Sequence, residues 1–207
     1  MKLLLASNNQ KKLKELTRIL EGLEVRLVLP REIGGIPDVD EDQPDFAGNA
    51  RKKARSAALA SGMWALADDS GLEVEALGGA PGVFSARYAG THGDDAANNA
   101  RLLRELADIA DERRGARFVC ALALARPDGS SALEVQGTAA GRILHAPRGT
   151  HDFGYDPLFE FTEPGFAETG RGFAELEAEE KARVSHRGRA LRELAKKLPS
   201  VVDPRSA

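Results

Sequence analysis

Several stretches of this sequence carry residue types able to do chemistry. In "SNNQKK", the polar residues Ser7, Asn8, Asn9 and Gln10 interrupt an apolar run and lead straight into Lys11 and Lys12. Hydroxyl, amide and ammonium groups in one short turn suit an anion. They do so all the more where a strand gives way to a helix, because free backbone N–H groups and the positive end of the helix dipole then point at one spot. Neither G-x-x-x-x-G-K-[ST] nor G-x-G-x-x-G occurs, so a phosphate bound here uses neither common glycine-rich loop.

Two acidic stretches follow. "DVDEDQPD" holds five carboxylates among eight residues, and "DDSG" sets Asp68 beside Asp69. Adjacent carboxylates repel each other, and a cation relieves that repulsion. Both stretches supply hard oxygen ligands for Mg²⁺, which takes one or two protein carboxylates and fills its remaining positions with water and substrate phosphates. Lysine, magnesium and helix-end amides together make a set of parts for handling a triphosphate. Near the C-terminus, "EEKARVSHRGRAL" places Lys181 ahead of Ser185, His186 and Arg187, and "FGYDP" supplies Phe153, Gly154, Tyr155 and Asp156. Each stretch also has an ordinary reading: a solvated acidic loop, an Asx turn, a capping serine, a turn with core aromatics. Their combination decides.

The elements that must position these groups can be read from periodicity. Residues 2–6 are short and apolar and read as a buried strand; Leu13, Leu16, Ile19 and Leu20 recur at helical spacing from about Gln10. "EVRLVL" reads as a second strand, followed by a long acidic loop. Residues 46–61 are alanine-rich and basic and predict a helix, and "MWALAD" a strand ending at "DDSG". "LGGAPGVFSARYAG" is a structured loop, residues 98–108 carry a helical stripe, and two strands flank a "PDGS" turn in the clearest hairpin signal of the chain. The irregular stretch around "FGYDP" leads to two final helices, the last starting near Ser185. Strand–helix alternation followed by a hairpin predicts an α/β fold with a mixed sheet, its strand ends gathering the ligand site.

At 207 residues with 42% hydrophobic side chains and no internal repeat, the chain is long enough for one well-packed domain or two lobes sharing a core, and residues 1–207 are taken as a single domain. A formal net charge of -3 argues against a nucleic-acid binder. No apolar run is long enough for a bilayer, and the N-terminal leucines are too few for a signal-peptide core, so a cytoplasmic protein is expected. The single cysteine, Cys120, sits in "RFVCALALA" and reads as core, and the histidines lack zinc-site spacing.

Taken in order, "SNNQKKLKE", "FAGNARKKA", "ADDSGLEVEALGGAPGVFSARYAG", "FGYDPLF" and "EEKARVSHRG" span nearly the whole chain. Their succession resembles the inosine triphosphate pyrophosphatase family, also called Ham1-like. The resemblance implies an elongated α/β fold with a long mixed sheet and a nucleotide cleft between two lobes. It also implies a magnesium-dependent homodimer that cleaves ITP, dITP and XTP to monophosphate and pyrophosphate, cleansing the nucleotide pool. Carried over by motif, Ser7, Asn8, Asn9, Gln10, Lys11 and Lys12 would hold the phosphates. Asp69 would be the catalytic carboxylate, also placed at the metal. Ser70, Phe153, Gly154, Tyr155, Asp156, Lys181, His186 and Arg187 would line the nucleotide site. The acidic loop departs from the family pattern: "EDQPDFAGNA" has Gly48 where an acid is usual. Glu41 is taken as metal ligand by position, with Asp40 and Asp42 as alternatives.

Overall fold

The computed structural model describes residues 1–7, 10–20, 25–150 and 153–202. Asn8, Asn9 and Glu24 therefore lie outside the described residues. The chain runs β1 (Lys2–Leu5), α1 (Gln10–Ile19), β2 (Arg26–Val28), α2 (Phe46–Ser61), β3 (Trp64–Val74), α3 (Asp95–Glu105), β4 (Gly115–Ala125), β5 (Ser131–Ile143), β6 (Phe159–Phe161), α4 (Ala178–Val184) and α5 (His186–Val202). Short 3₁₀ turns fill several connections, among them Pro30–Ile33, Gly82–Arg87 and Asp156–Leu158. The strands form a single sheet in the order β2-β1-β3-β4-β5-β6. β1 pairs in parallel with β2 and β3, while β5 and β6 are antiparallel. The short connection 126–130 leaves only an antiparallel pairing for β4 and β5, since parallel neighbours need a long crossover. The sheet is thus mixed, as strand–helix alternation followed by a hairpin requires.

The chain divides into two compact units. One comprises Met1–Asp69, Ala121–Gln136 and the segment from Ala190; the other comprises Ser70–Cys120 and Gly137–Arg189. β3, β4 and β5 each contribute residues to both. In the first unit, Leu3, Leu4 and Leu5 are fully buried, and the α2 face of Ala50, Ala54, Ala57 and Ala58 packs without exposed surface. In the second, Phe118 stacks on Phe173 with ring centroids 5.7 Å apart and Phe159 is tilted against both at 4.7 Å, around a core that includes Leu72, Leu102 and Leu158. Arg114 is buried in this unit. It donates to backbone carbonyls, those of Leu106 at 2.7 Å, Ile143 at 2.8 Å, Leu144 at 3.0 Å and Ile109 at 3.4 Å.

Several boundaries differ from the sequence-based expectation, two of them by three residues or more. The α3 helix begins earlier, at Asp95, because Asp94 caps it by accepting from the Ala97 N–H at 2.9 Å, and it ends at Glu105 with Leu106 buried just beyond. More consequential is β3, which does not end at "DDSG" but carries Asp68, Asp69, Ser70 and Gly71 through to Val74. Polar residues end a strand when they meet water. Here they meet lysine, asparagine and arginine side chains, so the strand continues. No helix among the described residues is long and apolar enough to cross a membrane.

Candidate active site

In the first unit, β3 and α2 bring opposite charges together. Asp45 caps α2 by accepting the Gly48 N–H at 2.7 Å, which directs Asn49 and Lys53, four residues apart, along one helix face. Asn49 is buried. Its Nδ2 donates to Asp69 Oδ2 at 3.1 Å, while its Oδ1 accepts the Gln43 N–H at 3.0 Å, tying the acidic loop to the strand. Lys53 Nζ donates to Asp69 Oδ1 at 2.9 Å and to Glu41 Oε1 at 2.7 Å. Asp68 takes a different partner, Lys12 Nζ, at 2.8 Å. The repulsion expected of the Asp68–Asp69 pair is therefore relieved by two separate lysines.

Burial pushes the Asp69 carboxyl above the usual range, and the Lys53 ammonium only partly offsets it; the nearby Glu41 charge adds to the upward push. For Lys53, burial works against the charged form, but Asp69 and Glu41 outweigh it and leave the amine above its ordinary value. Of the acidic-loop candidates, Glu41 is the one joined to Asp69 through Lys53. Asp42 pairs instead with Lys52 at 2.8 Å, and the Asp40 backbone carbonyl accepts from Lys52 at 2.9 Å. Gly48, where the family pattern has an acid, stands close to the loop: a Cβ there would lie 2.8 Å from Gln43 Cβ.

The second unit holds Ser70 and the predicted residues from Phe153 to Arg187. Arg187 Nη2 donates to Ser70 Oγ at 3.1 Å. His186 is buried and stacks on Phe118, rings 4.7 Å apart and inclined by 12°. Lys181, on α4, pairs with the buried Asp156, and its ammonium lies 5.8 Å from the centroid of the Phe153 ring. Phe153 is 39% exposed, so one face of its ring is open to solvent. Tyr155 is turned into the core and its hydroxyl donates to the Ser85 carbonyl at 2.9 Å, so it supports the loop from below. Ser7 follows β1, its N–H donating to the Leu5 carbonyl at 2.7 Å. Gln10 and Lys11 open α1, while Asn8 and Asn9 lie outside the described residues.

Two residues absent from the sequence-based candidates stand at the centre of the first set: Asn49 and Lys53. Their signal was present in "FAGNARKKA", where N-x-x-x-K at helical spacing puts an amide and an ammonium on one face. Among the described residues, no group of three or more His, Cys, Asp or Glu side chains gathers as a ready-made metal cage.

An inner strand of an α/β sheet thus presents a lysine-paired carboxylate, an arrangement open to hydrolytic chemistry. The sequence profile of the Ham1 family matches residues 3–197, and the chain belongs to that family. A dITP/XTP pyrophosphatase of Corynebacterium glutamicum (strain R) is 50% identical over 204 residues, covering 97% of this chain and 98% of that protein. The solved structure of a HAM1 protein from Coxiella burnetii superposes with a TM-score of 0.88 at 40% identity, covering 97% of this chain and 99% of the other. That of a nucleoside-triphosphatase, dITP/XTP pyrophosphatase, from Mycobacterium abscessus gives 0.78 at 50% identity, covering 94% and 98%.

Proposed function

We propose that this chain hydrolyses ITP, dITP and XTP to the nucleoside monophosphate and pyrophosphate, removing aberrant purine nucleotides from the pool. The observation that carries the reading is the joining of Glu41 and Asp69 through one ammonium, at 2.7 and 2.9 Å. A protein that only bound nucleotides would have no need of two metal-type carboxylates beside its phosphate turn.

The donor set fits magnesium. Both carboxylates already converge on a cation, the Lys53 ammonium, and both offer hard oxygens. Two carboxylates with no third protein ligand is the usual provision where phosphates complete the shell. Glu41 and Asp69 would hold the ion, which would supply positive charge to offset that developing on the leaving pyrophosphate. Lys12 and the turn from Ser7 to Lys12 hold the triphosphate. Asp69, oriented by Asn49 and Lys53, directs the attacking water at the α-phosphorus and takes its proton. Phe153 stacks on the base, and Arg187, a pure donor, faces the O6 acceptor of hypoxanthine or xanthine. Ser70, Gly154, Tyr155, Asp156, Lys181 and His186 complete or support the nucleoside side. The whole chain is read as one ITPase-like domain, working as a cytoplasmic homodimer.

The test is a screen of purified protein with Mg²⁺ against ITP, XTP, ATP and GTP, measuring pyrophosphate and phosphate separately. ITP giving IMP and pyrophosphate, abolished by EDTA, is expected. Conversion of ITP to IDP and phosphate would overturn the reading, and turnover untouched by EDTA would remove the metal from it.

A further inference from the structure

The first turns of α3 grip the loop that carries Phe153. Asp95 and Asn99, four residues apart, share one face of the helix. Asp95 Oδ2 accepts the Gly154 N–H at 2.8 Å, and Asn99 Nδ2 donates to the Gly154 carbonyl at 2.8 Å. Both backbone polar groups of one loop residue are therefore satisfied by side chains of a single helix. That residue is a glycine at φ +57°, a conformation that leaves the chain free to rearrange once nothing holds it. Asn98, between the two, treats a second loop alike. It accepts the Ala89 N–H at 2.7 Å and donates to the Ala86 carbonyl at 3.4 Å. The two loops are joined in turn by Tyr155, whose hydroxyl donates to the Ser85 carbonyl at 2.9 Å, while Ser85 Oγ accepts the Leu72 N–H at 2.9 Å.

We propose that Asp95 and Asn99 are positioning residues for the base subsite: by clamping Gly154 they fix the direction of Phe153, and so the affinity for the purine, without touching substrate. This rests on the reading of Phe153 as the stacking residue. The chemistry of the clamp is directional. A carboxylate only accepts and so meets the N–H; an amide nitrogen only donates and so meets the carbonyl. Without the clamp, the freedom recovered by Gly154 is ordered again at each binding event, which weakens binding. The groups that handle the triphosphate lie elsewhere in the chain, so turnover of bound substrate is spared.

Steady-state kinetics on ITP test this. Asp95→Ala and Asn99→Leu are each expected to raise KM by about five- to tenfold, the effect of one lost hydrogen bond, with kcat changed by less than about twofold. Asp95→Asn retains an acceptor for the Gly154 N–H and is expected to behave nearly as the native protein. In a Phe153→Ala background, Asn99→Leu adds no further rise, because its effect runs through that ring. A fall in kcat as large as the rise in KM, or independent effects of the Asn99 and Phe153 substitutions, overturns the proposal. Hydrogen exchange tests the clamp without substrate. Amides of residues 153–156 exchange faster in Asn99→Leu while β4 keeps its protection; unchanged exchange overturns the clamp whatever the enzyme's substrate. Faster exchange in a protein whose native form leaves ITP intact would support the clamp and sink the functional reading alone.

Discussion

Lys53 Nζ stands 2.9 Å from Asp69 Oδ1 and, with the same nitrogen, 2.7 Å from Glu41 Oε1. Burial raises the Asp69 carboxyl and Lys53 restrains the rise. Lys53→Met removes the restraint while Glu41 continues to repel. The acid limb of the kcat/KM profile is then expected to move to higher pH by about one pH unit or more. A profile that loses height without moving would mean that Lys53 contacts substrate and leaves Asp69 untuned.

Asp69→Asn keeps the shape of the side chain and an acceptor for Asn49 or Lys53 but cannot take a proton. A kcat reduced by roughly 10²-fold or more is expected, with circular dichroism unchanged. Lys12→Ala is expected to raise KM by weakening the hold on the triphosphate. Near-native kcat in folded Asp69→Asn would contradict its catalytic role.

The same carboxyl gives a pH signature in the metal-free protein. An unfolded aspartate titrates near about 4, whereas folded Asp69 titrates above that value. Between the two, the folded state binds more protons than the unfolded state, so the Asp69 contribution falls as pH rises through the window and levels off above it. Glu105, Glu134 and Glu180 are held below the ordinary range and slope the other way. The difference between native protein and Asp69→Asn isolates the effect. Urea denaturation in EDTA is expected to show the variant gaining on the native protein as pH rises from about 4; a difference independent of pH would refute this.

Base choice should run through Arg187. Adenine presents an amino donor at C6 where hypoxanthine presents a carbonyl, and a guanidinium set against a donor leaves both unpaired at a cost of about 1–3 kcal/mol. Arg187→Ala is therefore expected to lose more kcat/KM on ITP than on ATP, narrowing their ratio. Equal losses on both would make Arg187 a phosphate or structural residue, held where it is by Ser70.

Much of this was legible in the sequence, for reasons that differ between elements. The α1 helix follows from apolar spacing, α2 from its alanine-rich composition, and the hairpin from "PDGS", where Asp128 Oδ1 accepts the Ser130 N–H at 2.9 Å and Gly129 takes φ +81°. Both signals are local. The extent of β3 was not local: whether "DDSG" ends a strand depends on Lys12, Asn49, Lys53 and Arg187, all distant in sequence. For the same reason Glu41 could be separated from Asp40 and Asp42 only once Lys52 and Lys53 were seen to take different acids. Lys53 itself was hidden among neighbouring basic residues whose ordinary fate is solvation.

The course of β3 through Asp68, Asp69 and Ser70 also limits how this protein can vary. Along a strand, successive side chains face opposite sides, so a one-residue insertion or deletion between Ala65 and Asp69 would exchange the acid that meets Lys53 for one of its neighbours and invert every position beyond. A loop can absorb such a change in length; a strand with its reactive carboxylate in mid-course cannot. The stretch is closed to changes of length, while the connection at 126–130, carrying no site residue, is where added segments are tolerated.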